Sequence, residues 1–259
     1  MSNLLENIYI IEDGYNTNYI SCLILTMFLD KNIIYKSFLL NDNISIENIY
    51  LQELIKSLIS DFKNYKIING SKQNYLRNYL YFKGFQSFNT ILNNNSIEEL
   101  YNFLFEKLNI PKIEFLNILD NNVESINYIN LIINDPEINI KKLLEYNLQN
   151  KLLNNIPHFL AIKINKFNEN YMCDIQKKIT FNSVYNYTNQ IDIRLIWDIN
   201  SIICFEKELN NYFSFIQVNN NWYVVNQLNI PSIQKIHIKN YENIIKLKAI
   251  FVIYQFNEN

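Results

Sequence analysis

The hydrophobic periodicity of the chain changes once, near Pro157, and this change most constrains its fold. Before Pro157, apolar residues recur every three to four positions, which is the period of an amphipathic helix. After it, short runs alternate between apolar and polar residues, which is the period of a strand with one buried face. Helices followed by an antiparallel sheet define the α+β class. The sequence therefore predicts a helical first part and a β-rich second part.

The clearest helical stripe begins at Ile20, from which apolar residues fall at i, i+3, i+4, i+7 and i+8. Asn16 or Thr17 is a candidate N-cap, because a short side-chain oxygen can accept hydrogen bonds from the first turn. Ser96 and Glu99 form a capping-box pattern before a second stripe. The predicted helices are 20–28, 49–65, 96–109 and 139–149, and the side chains expected in the core are Ile20, Leu23, Leu100, Leu104, Phe159 and Trp222.

In the second part, β-rich runs predict an antiparallel sheet. Residues 212–228 have the pattern of a hairpin, with two such runs around an asparagine-rich turn. The other predicted strands lie within 158–167, 191–206 and 248–256.

The chain has 259 residues, of which 49% are hydrophobic, so it can bury a substantial core as one large domain or two small ones. Its three cysteines, Cys22, Cys173 and Cys204, lie far apart and form no C-x-x-C pair. This spacing argues against a zinc knuckle and a disulfide framework, and it is typical of a reducing compartment. We therefore expect no metal and no cofactor.

The first ten residues lack the basic region of a signal peptide, and no apolar run approaches the roughly 20 residues of a membrane span. We expect an intracellular protein of the cytoplasm or nucleus, of the cell or of an infected host, that is neither secreted nor bound to a membrane. The net charge of −2 without a basic stripe argues against nucleic acid.

Asn, Ile, Tyr and Lys are abundant, whereas the chain has only 3 Gly and 4 Pro. The codons of the abundant residues are AT-rich, which predicts an AT-rich genome such as that of a large DNA virus or of certain protists. In such a genome, asparagine can reach a site by drift.

Five stretches, in this order along the chain, resemble the sequence boxes of the ubiquitin-specific proteases, the papain-like deubiquitinases. GYNTNYISCLIL resembles the Cys box G-N-T-C-Y-x-N-S-x-L-Q, and NSIEELYNFLFEKLN resembles the helix Q-D-A-x-E-F-L-x-x-L-L-D-x-L. NIPHFLAIKINKF resembles L-P-x-x-L-x-I-x-L-x-R-F, and NNYFSFIQVNNNWYVVN resembles the His box G-H-Y-x-A-Y followed by W-Y-x-F-D-D. AIFVIYQ resembles the closing strand A-Y-x-L-F-Y-E-R.

The resemblance implies a single domain over 1–259, with a helical thumb at about 1–155 and an antiparallel palm at about 156–259. It implies a cleft between them for the C-terminal tail of ubiquitin. The family often carries zinc-binding fingers with two C-x-x-C pairs. Residues 110–155 are few and contain no cysteine, so we expect the fingers to be reduced or absent.

The family hydrolyses its substrate with a cysteine thiolate, a histidine base, an Asp or Asn that orients the base, and an oxyanion donor. In this sequence the matching positions hold Asn18, Asn211, Asn226 and Asp13, in that order. A carboxamide is no useful nucleophile and does not titrate near neutral pH, and an ionised Asp13 would repel an oxyanion. Only Asn226 suits its family role, so the resemblance predicts an inactive site.

Positions related to binding also depart from the family. Asn210 replaces the glycine before the catalytic histidine, where its side chain would crowd the tunnel for the ubiquitin tail. Glu99, Tyr212 and Trp222 match their boxes, and we expect the two aromatic residues chiefly to pack in the palm.

Cys22 is a weak alternative nucleophile, one helical turn beyond Asn18 on the same face. Its position in the family pattern is that of a small core residue, and burial would raise the pKa of its thiol. Neither His158 nor His237 matches the position of the catalytic base.

Three hypotheses follow. The first is a catalytically inactive relative of these proteases that binds ubiquitin or a ubiquitin-like protein, or acts as a scaffold. The second is an active thiol hydrolase with a displaced nucleophile. The third is a structural or assembly protein, for example of a large DNA virus, that has lost ubiquitin binding.

Overall fold

The computed structural model describes residues 9–12, 14, 17–30, 32–85, 97–184 and 195–257. The chain divides into two compact units, Met1–Ile110 with Ile203–Asn240, and Pro111–Ile202 with Tyr241–Asn259.

Helices and strands are numbered separately in chain order. The described helices are α1 (Asn18–Phe28), α2 (Ile33–Leu39), α3 (Ile46–Tyr65), α4 (Gly70–Phe82), α5 (Ile97–Lys107), α6 (Ile140–Asn147) and α7 (Glu242–Lys248). The described strands are β1 (Ile10–Ile11), β2 (Ile67–Ile68), β3 (Ile113–Asn117), β4 (Val123–Ile126), β5 (Ile129–Ile133), β6 (Glu137–Asn139), β7 (Lys151–Leu153), β8 (Phe159–Lys166), β9 (Met172–Asp174), β10 (Lys178–Phe181), β11 (Leu195–Glu206), β12 (Asn211–Val218), β13 (Asn221–Asn226), β14 (Ile233–Ile236) and β15 (Ala249–Phe256).

Helix α1 is the central element of the first unit. Every residue from Tyr19 to Phe28 is buried, because this helix is apolar around most of its circumference and is enclosed on all sides. Thr17 stands at the N-cap position but its side chain makes no capping hydrogen bond, so its predicted role as a cap is wrong. Asn16 lies outside the described residues.

The first unit also contains a hairpin in which β12 pairs with β13. The other edge of β13 pairs with β14. The two residues that join the strands, Asn219 and Asn220, have φ angles of 49° and 62°. Positive φ at both central positions is typical of the type I′ turn, whose twist matches that of a hairpin. The predicted hairpin around an asparagine-rich turn is therefore confirmed.

In the second unit, β15 pairs with β8 in antiparallel register, and β5 pairs with β8 in parallel. The indole of Trp197 on β11 is fully buried, and its Nε1 donates to the carbonyl oxygen of Pro157 at 3.0 Å. Strands β4, β3 and β7 form a separate three-stranded sheet.

The α+β prediction is confirmed, with two corrections. Apart from the two-residue strands β1 and β2, the strands begin at Ile113 rather than near Pro157, and β3 to β7 were not predicted because each has only three to five residues. Trp222 is half-buried rather than buried, since it lies near the turn of the hairpin, where its cross-strand neighbours Gln217 and Ile236 are also only half-buried. The other five expected core side chains are buried. The predicted single domain over 1–259 stays a prediction.

Candidate functional site

Three asparagines at the ends of secondary-structure elements meet in the first unit. Asn18 is the first residue of α1, Asn211 is the first residue of β12, and Asn226 is the last residue of β13. Because β12 and β13 are antiparallel neighbours, the start of one lies beside the end of the other. Hairpin pairing thus places Asn211 near Asn226, and the packing of α1 brings Asn18 to both.

The three carboxamides form a chain of hydrogen bonds. Asn18 Nδ2 donates to Asn211 Oδ1 at 2.7 Å, and Asn211 Nδ2 donates to Asn226 Oδ1 at 3.1 Å. Asn226 Oδ1 also accepts from the backbone N–H of Leu228 at 3.0 Å. Asn211 is only 4% exposed, so these bonds largely replace contacts with water.

Asn18 also binds the backbone of β12. The backbone N–H of Tyr212 donates to Asn18 Oδ1 at 2.6 Å, and Asn18 Nδ2 donates to the carbonyl oxygen of Tyr212 at 3.2 Å. A side-chain amide carries the same donor and acceptor as a peptide group, so it can pair with one strand residue in this way. The contact joins residues almost 200 positions apart and fixes the start of α1 against β12.

Two residues that the sequence analysis did not single out complete the cluster. Gln227 Oε1 lies 3.5 Å from Asn18 Nδ2 and accepts from Ser21 Oγ at 3.3 Å. Gln227 stands at the final position of the W-Y-x-F-D-D pattern and Ser21 stands one turn into α1, so adjacency to mapped positions could have indicated both. We call Asn18, Asn211, Asn226, Gln227 and Ser21 the asparagine cluster.

The cluster contains only amides and one hydroxyl. None of these groups carries a charge or exchanges a proton near neutral pH. General acid–base catalysis needs a group that titrates near the working pH, and nucleophilic attack needs an activated thiol, hydroxyl or amine. The arrangement can hold two chain segments together or donate and accept hydrogen bonds to a ligand.

Cys22 lies in the core, one turn further along α1, and is 4% exposed. Burial raises the pKa of its thiol to about 12, although contacts with Ser214 and Thr26 partly oppose this shift. A thiol of this kind is protonated at neutral pH and is inaccessible to a large substrate.

The predicted binding residues lie in different places. Burial, together with smaller effects of the nearby Cys22 and Glu99, raises the pKa of the Tyr212 hydroxyl to about 12. Glu99 is exposed in the first turn of α5. The Tyr212 ring lies 4.7 Å from that of Phe205, measured between centroids.

Trp222 pairs with Gln217 near the opposite end of the hairpin, so the structure does not bring it to the cluster.

Asn210 is exposed and has a φ of 47°, in the left-handed region that favours glycine. The backbone at this position therefore has the conformation that suits the glycine of the family pattern, and asparagine is the residue that tolerates it next best. Asp13 lies outside the described residues. His158 and His237 are both exposed.

Within the described ranges, no group of three or more His, Cys, Asp or Glu side chains could hold a metal ion. Across the same residues, every helix is too short or too polar to cross a bilayer.

Comparison with solved structures identifies the fold. A chain of the SAGA DUB module Ubp8/Sgf11/Sus1/Sgf73 bound to ubiquitin aldehyde superposes with a TM-score of 0.68 at 11% sequence identity, covering 100% of this chain and 72% of that chain. A chain of the same module bound to monoubiquitin gives a TM-score of 0.67 at 10% identity, with coverage of 97% and 69%.

A third neighbour is the Saccharomyces cerevisiae apo Pan2 pseudoubiquitin hydrolase–RNA exonuclease module in complex with AAGGA RNA. Its TM-score is 0.62 at 12% identity, and the match covers 97% of this chain but 54% of that chain. No protein-family model and no curated protein matches the sequence.

The chain therefore has the fold of the ubiquitin-specific proteases, as the sequence boxes predicted. One of these neighbours is a complex with RNA. The expectation that this chain binds no nucleic acid rests on its charge alone, and it stays an expectation.

Proposed function

We propose that this protein binds ubiquitin or a ubiquitin-like protein without hydrolysing it. The observation that carries the proposal is the asparagine cluster, which occupies the nucleophile and base positions of the resembling family with carboxamides bonded to one another. The fold supplies the surface for recognition, and the cluster supplies no chemistry for cleavage. Two neighbours of the same fold are complexes with ubiquitin species, and a third carries the name pseudoubiquitin hydrolase.

The asparagine cluster also affects how the C-terminal tail of ubiquitin would be bound. Asn18 uses both of its polar atoms on Tyr212 and Asn211, so a bound C-terminus meets a site that is already hydrogen-bonded. Binding through the globular body of ubiquitin, with a minor contribution from its tail, fits this arrangement.

The test is a titration of the protein with ubiquitin and with ubiquitin lacking its C-terminal Gly-Gly. We expect measurable binding of both, with similar affinities. Ubiquitin carrying a C-terminal propargyl group should form no covalent adduct, because such probes trap an active thiolate. Binding to neither form would favour the structural or assembly hypothesis.

Adduct formation that is abolished by Cys22→Ala would favour the thiol-hydrolase hypothesis. Burial of Cys22 and the raised pKa of its thiol oppose that alternative. The binding and labelling readouts therefore separate all three hypotheses.

A further inference from the structure

Asn69 is the one asparagine of this asparagine-rich chain that precedes a glycine. In such a pair, the backbone nitrogen of the glycine can attack the side-chain carbonyl carbon of the asparagine, because glycine has no side chain to hinder the approach. The product is a five-membered succinimide, which water opens to aspartate or isoaspartate. Asn69 is exposed to solvent, so water has access to this ring once it forms.

The folded structure directs the side chain of Asn69 away from this reaction. Asn69 is the N-cap of α4, with φ −76° and ψ 131°. Its Oδ1 accepts a hydrogen bond from the backbone N–H of Ser71 at 2.8 Å and a second from the Ser71 hydroxyl. Ring closure requires the side-chain carbonyl carbon to leave Ser71 and reach the nitrogen of Gly70. That movement removes the cap and leaves the first turn of α4 without its acceptor.

The attacking nitrogen is held by Glu12, whose carboxylate accepts from the backbone N–H of Gly70 at 3.0 Å. This nitrogen becomes a nucleophile only when it loses its proton. A carboxylate is too weak a base to remove an amide proton. Its negative charge also opposes the nitrogen anion, as any charge of the same sign does. The contact with Glu12 therefore protects the Asn69–Gly70 pair.

The position of Glu12 is fixed through its backbone. Its N–H donates to the carbonyl oxygen of Ile68 at 2.9 Å, and its carbonyl oxygen accepts from Nε2 of the buried Gln73 at 2.6 Å. Glu12 as a residue is nevertheless exposed, so water competes for its carboxylate. A hydrogen bond at an exposed helix end opens far more often than the whole protein unfolds. Opening of this one contact is therefore the step that exposes the Gly70 nitrogen.

We propose that Asn69 is a site of spontaneous deamidation, and that opening of the contact between Glu12 and Gly70 sets its rate. The Gly70 nitrogen gives its proton to solvent and bonds to Asn69 Cγ. The bond from Cγ to Nδ2 breaks, and Nδ2 takes up a proton and leaves as ammonia. Water then opens the ring and leaves a carboxylate where the carboxamide stood.

The two products differ in their effect on α4. Aspartate is also a good N-cap, and its charge suits the N-terminus of a helix, although it adds a second carboxylate near Glu12. Isoaspartate inserts a methylene into the main chain between β2 and α4, so it displaces the first turn. The site uses no residue of the asparagine cluster, and the proposal is therefore independent of ubiquitin binding.

The experiment is incubation of the whole protein at neutral pH over several weeks, with peptide mapping by mass spectrometry. A synthetic peptide of residues 64–75 gives the unprotected rate, and Asn69 in the parent protein should convert measurably but more slowly. Glu12→Ala should convert at least about fivefold faster than the parent, since it lacks one hydrogen bond to the attacking nitrogen. Glu12→Gln keeps an acceptor without the charge, and its rate should lie between the two.

Glu47→Ala is the matched control, because Glu47 is also an exposed acid but lies in the first turn of α3. Its rate should equal that of the parent. Hydrogen exchange of the Gly70 amide reports the opening directly, and in Glu12→Ala it should accelerate by the same factor as deamidation. If all amides of α4 exchange freely in Glu12→Ala, the variant is unfolded and Glu12→Gln decides the test.

Three outcomes would overturn the proposal. They are the absence of conversion at Asn69 in both the parent and the Glu12 variants while the peptide converts, equal rates in the parent and the folded Glu12 variants, and a parent rate equal to that of the peptide. Ubiquitin binding measured on freshly purified Glu12→Gln should match that of the parent, which keeps this result separate from that of the proposed function.

Discussion

The two ends of the β12–β13 hairpin use asparagine in different ways. At the turn, Asn219 and Asn220 are exposed and serve through their backbone, which adopts positive φ. At the opposite end, the side chains of Asn211 and Asn226 bond to each other, and that of Asn211 also bonds to Asn18 of α1. A composition rich in asparagine supplies the residue to both places, but only the local geometry decides whether its backbone or its amide matters.

This difference gives the two ends different sensitivities. A side-chain network with buried members loses several hydrogen bonds when one member is removed, and leaves partners without them. A turn position loses only its conformational preference. Four predictions test this contrast, from the largest expected effect to the smallest.

The largest effect concerns catalysis at the cluster end. Asn18→Cys alone should leave the protein unable to hydrolyse ubiquitin–rhodamine above background, because the thiol has no base beside it. Asn18→Cys combined with Asn211→His, Asp13→Asn and Asn210→Gly should be at least about 100-fold faster than the single variant, the usual minimum for a general base. The fluorescence assay of rhodamine release measures both, and equal rates would show that the cluster does not have the geometry of a catalytic site.

The second prediction introduces a charge into the cluster. In Asn18→Asp, one oxygen keeps the N–H of Tyr212, but the other faces the acceptor oxygens of Asn211 and Tyr212. At pH 7 the uncompensated carboxylate should cost about 3 kcal/mol of unfolding free energy. This environment raises the pKa of the introduced carboxyl above its ordinary value of about 4.

The sign of the pH dependence follows from that shift. The protonated form is the one tolerated in the folded state, so the deficit is small below about pH 4 and grows as pH rises above it. Urea titrations of Asn18→Asp and the parent protein at pH 4 and pH 7 measure the difference. A deficit that is equal at both pH values would mean that the acceptor oxygens do not face this position.

The third prediction removes the central amide of the cluster. Asn211→Ala deletes the acceptor of Asn18 and the donor to Asn226, and should lower the unfolding free energy by about 2–3 kcal/mol. Combined with Asn18→Ala, it should show a coupling energy of at least about 0.5 kcal/mol in a double-mutant cycle. Strict additivity of the two changes would contradict the direct bond between the two side chains.

The smallest effect belongs to the turn. Asn220→Ala should cost about 1–2 kcal/mol, because alanine resists the left-handed conformation that Asn220 adopts at a φ of 62°. Asn220→Gly should lie within about 0.5 kcal/mol of the parent protein, since glycine adopts this conformation freely. Chemical denaturation checks both, and a larger loss in Asn220→Gly than in Asn211→Ala would reverse the comparison between the two ends.

The sequence by itself determined the elements that have a strong local pattern. The stripe from Ile20 to Phe28 required an apolar helix, and the alternating runs around Asn219–Asn220 required a hairpin. Family boxes then placed Asn18, Asn211 and Asn226 at matching positions. Short strands between Ile113 and Leu153 were missed, because three to five residues carry too little periodicity to separate a strand from a helix.

Only the tertiary structure decided what the asparagines do. Residues 193 positions apart meet because α1 packs against β12, and no local pattern records that distance. This packing explains three features of the site. It explains the bond from Asn18 to the backbone of Tyr212, the presence of Gln227 and Ser21 in the cluster, and the burial of Cys22. A sequence specifies which polar groups are available, whereas the fold determines which of them are close enough, and sufficiently shielded from water, to interact.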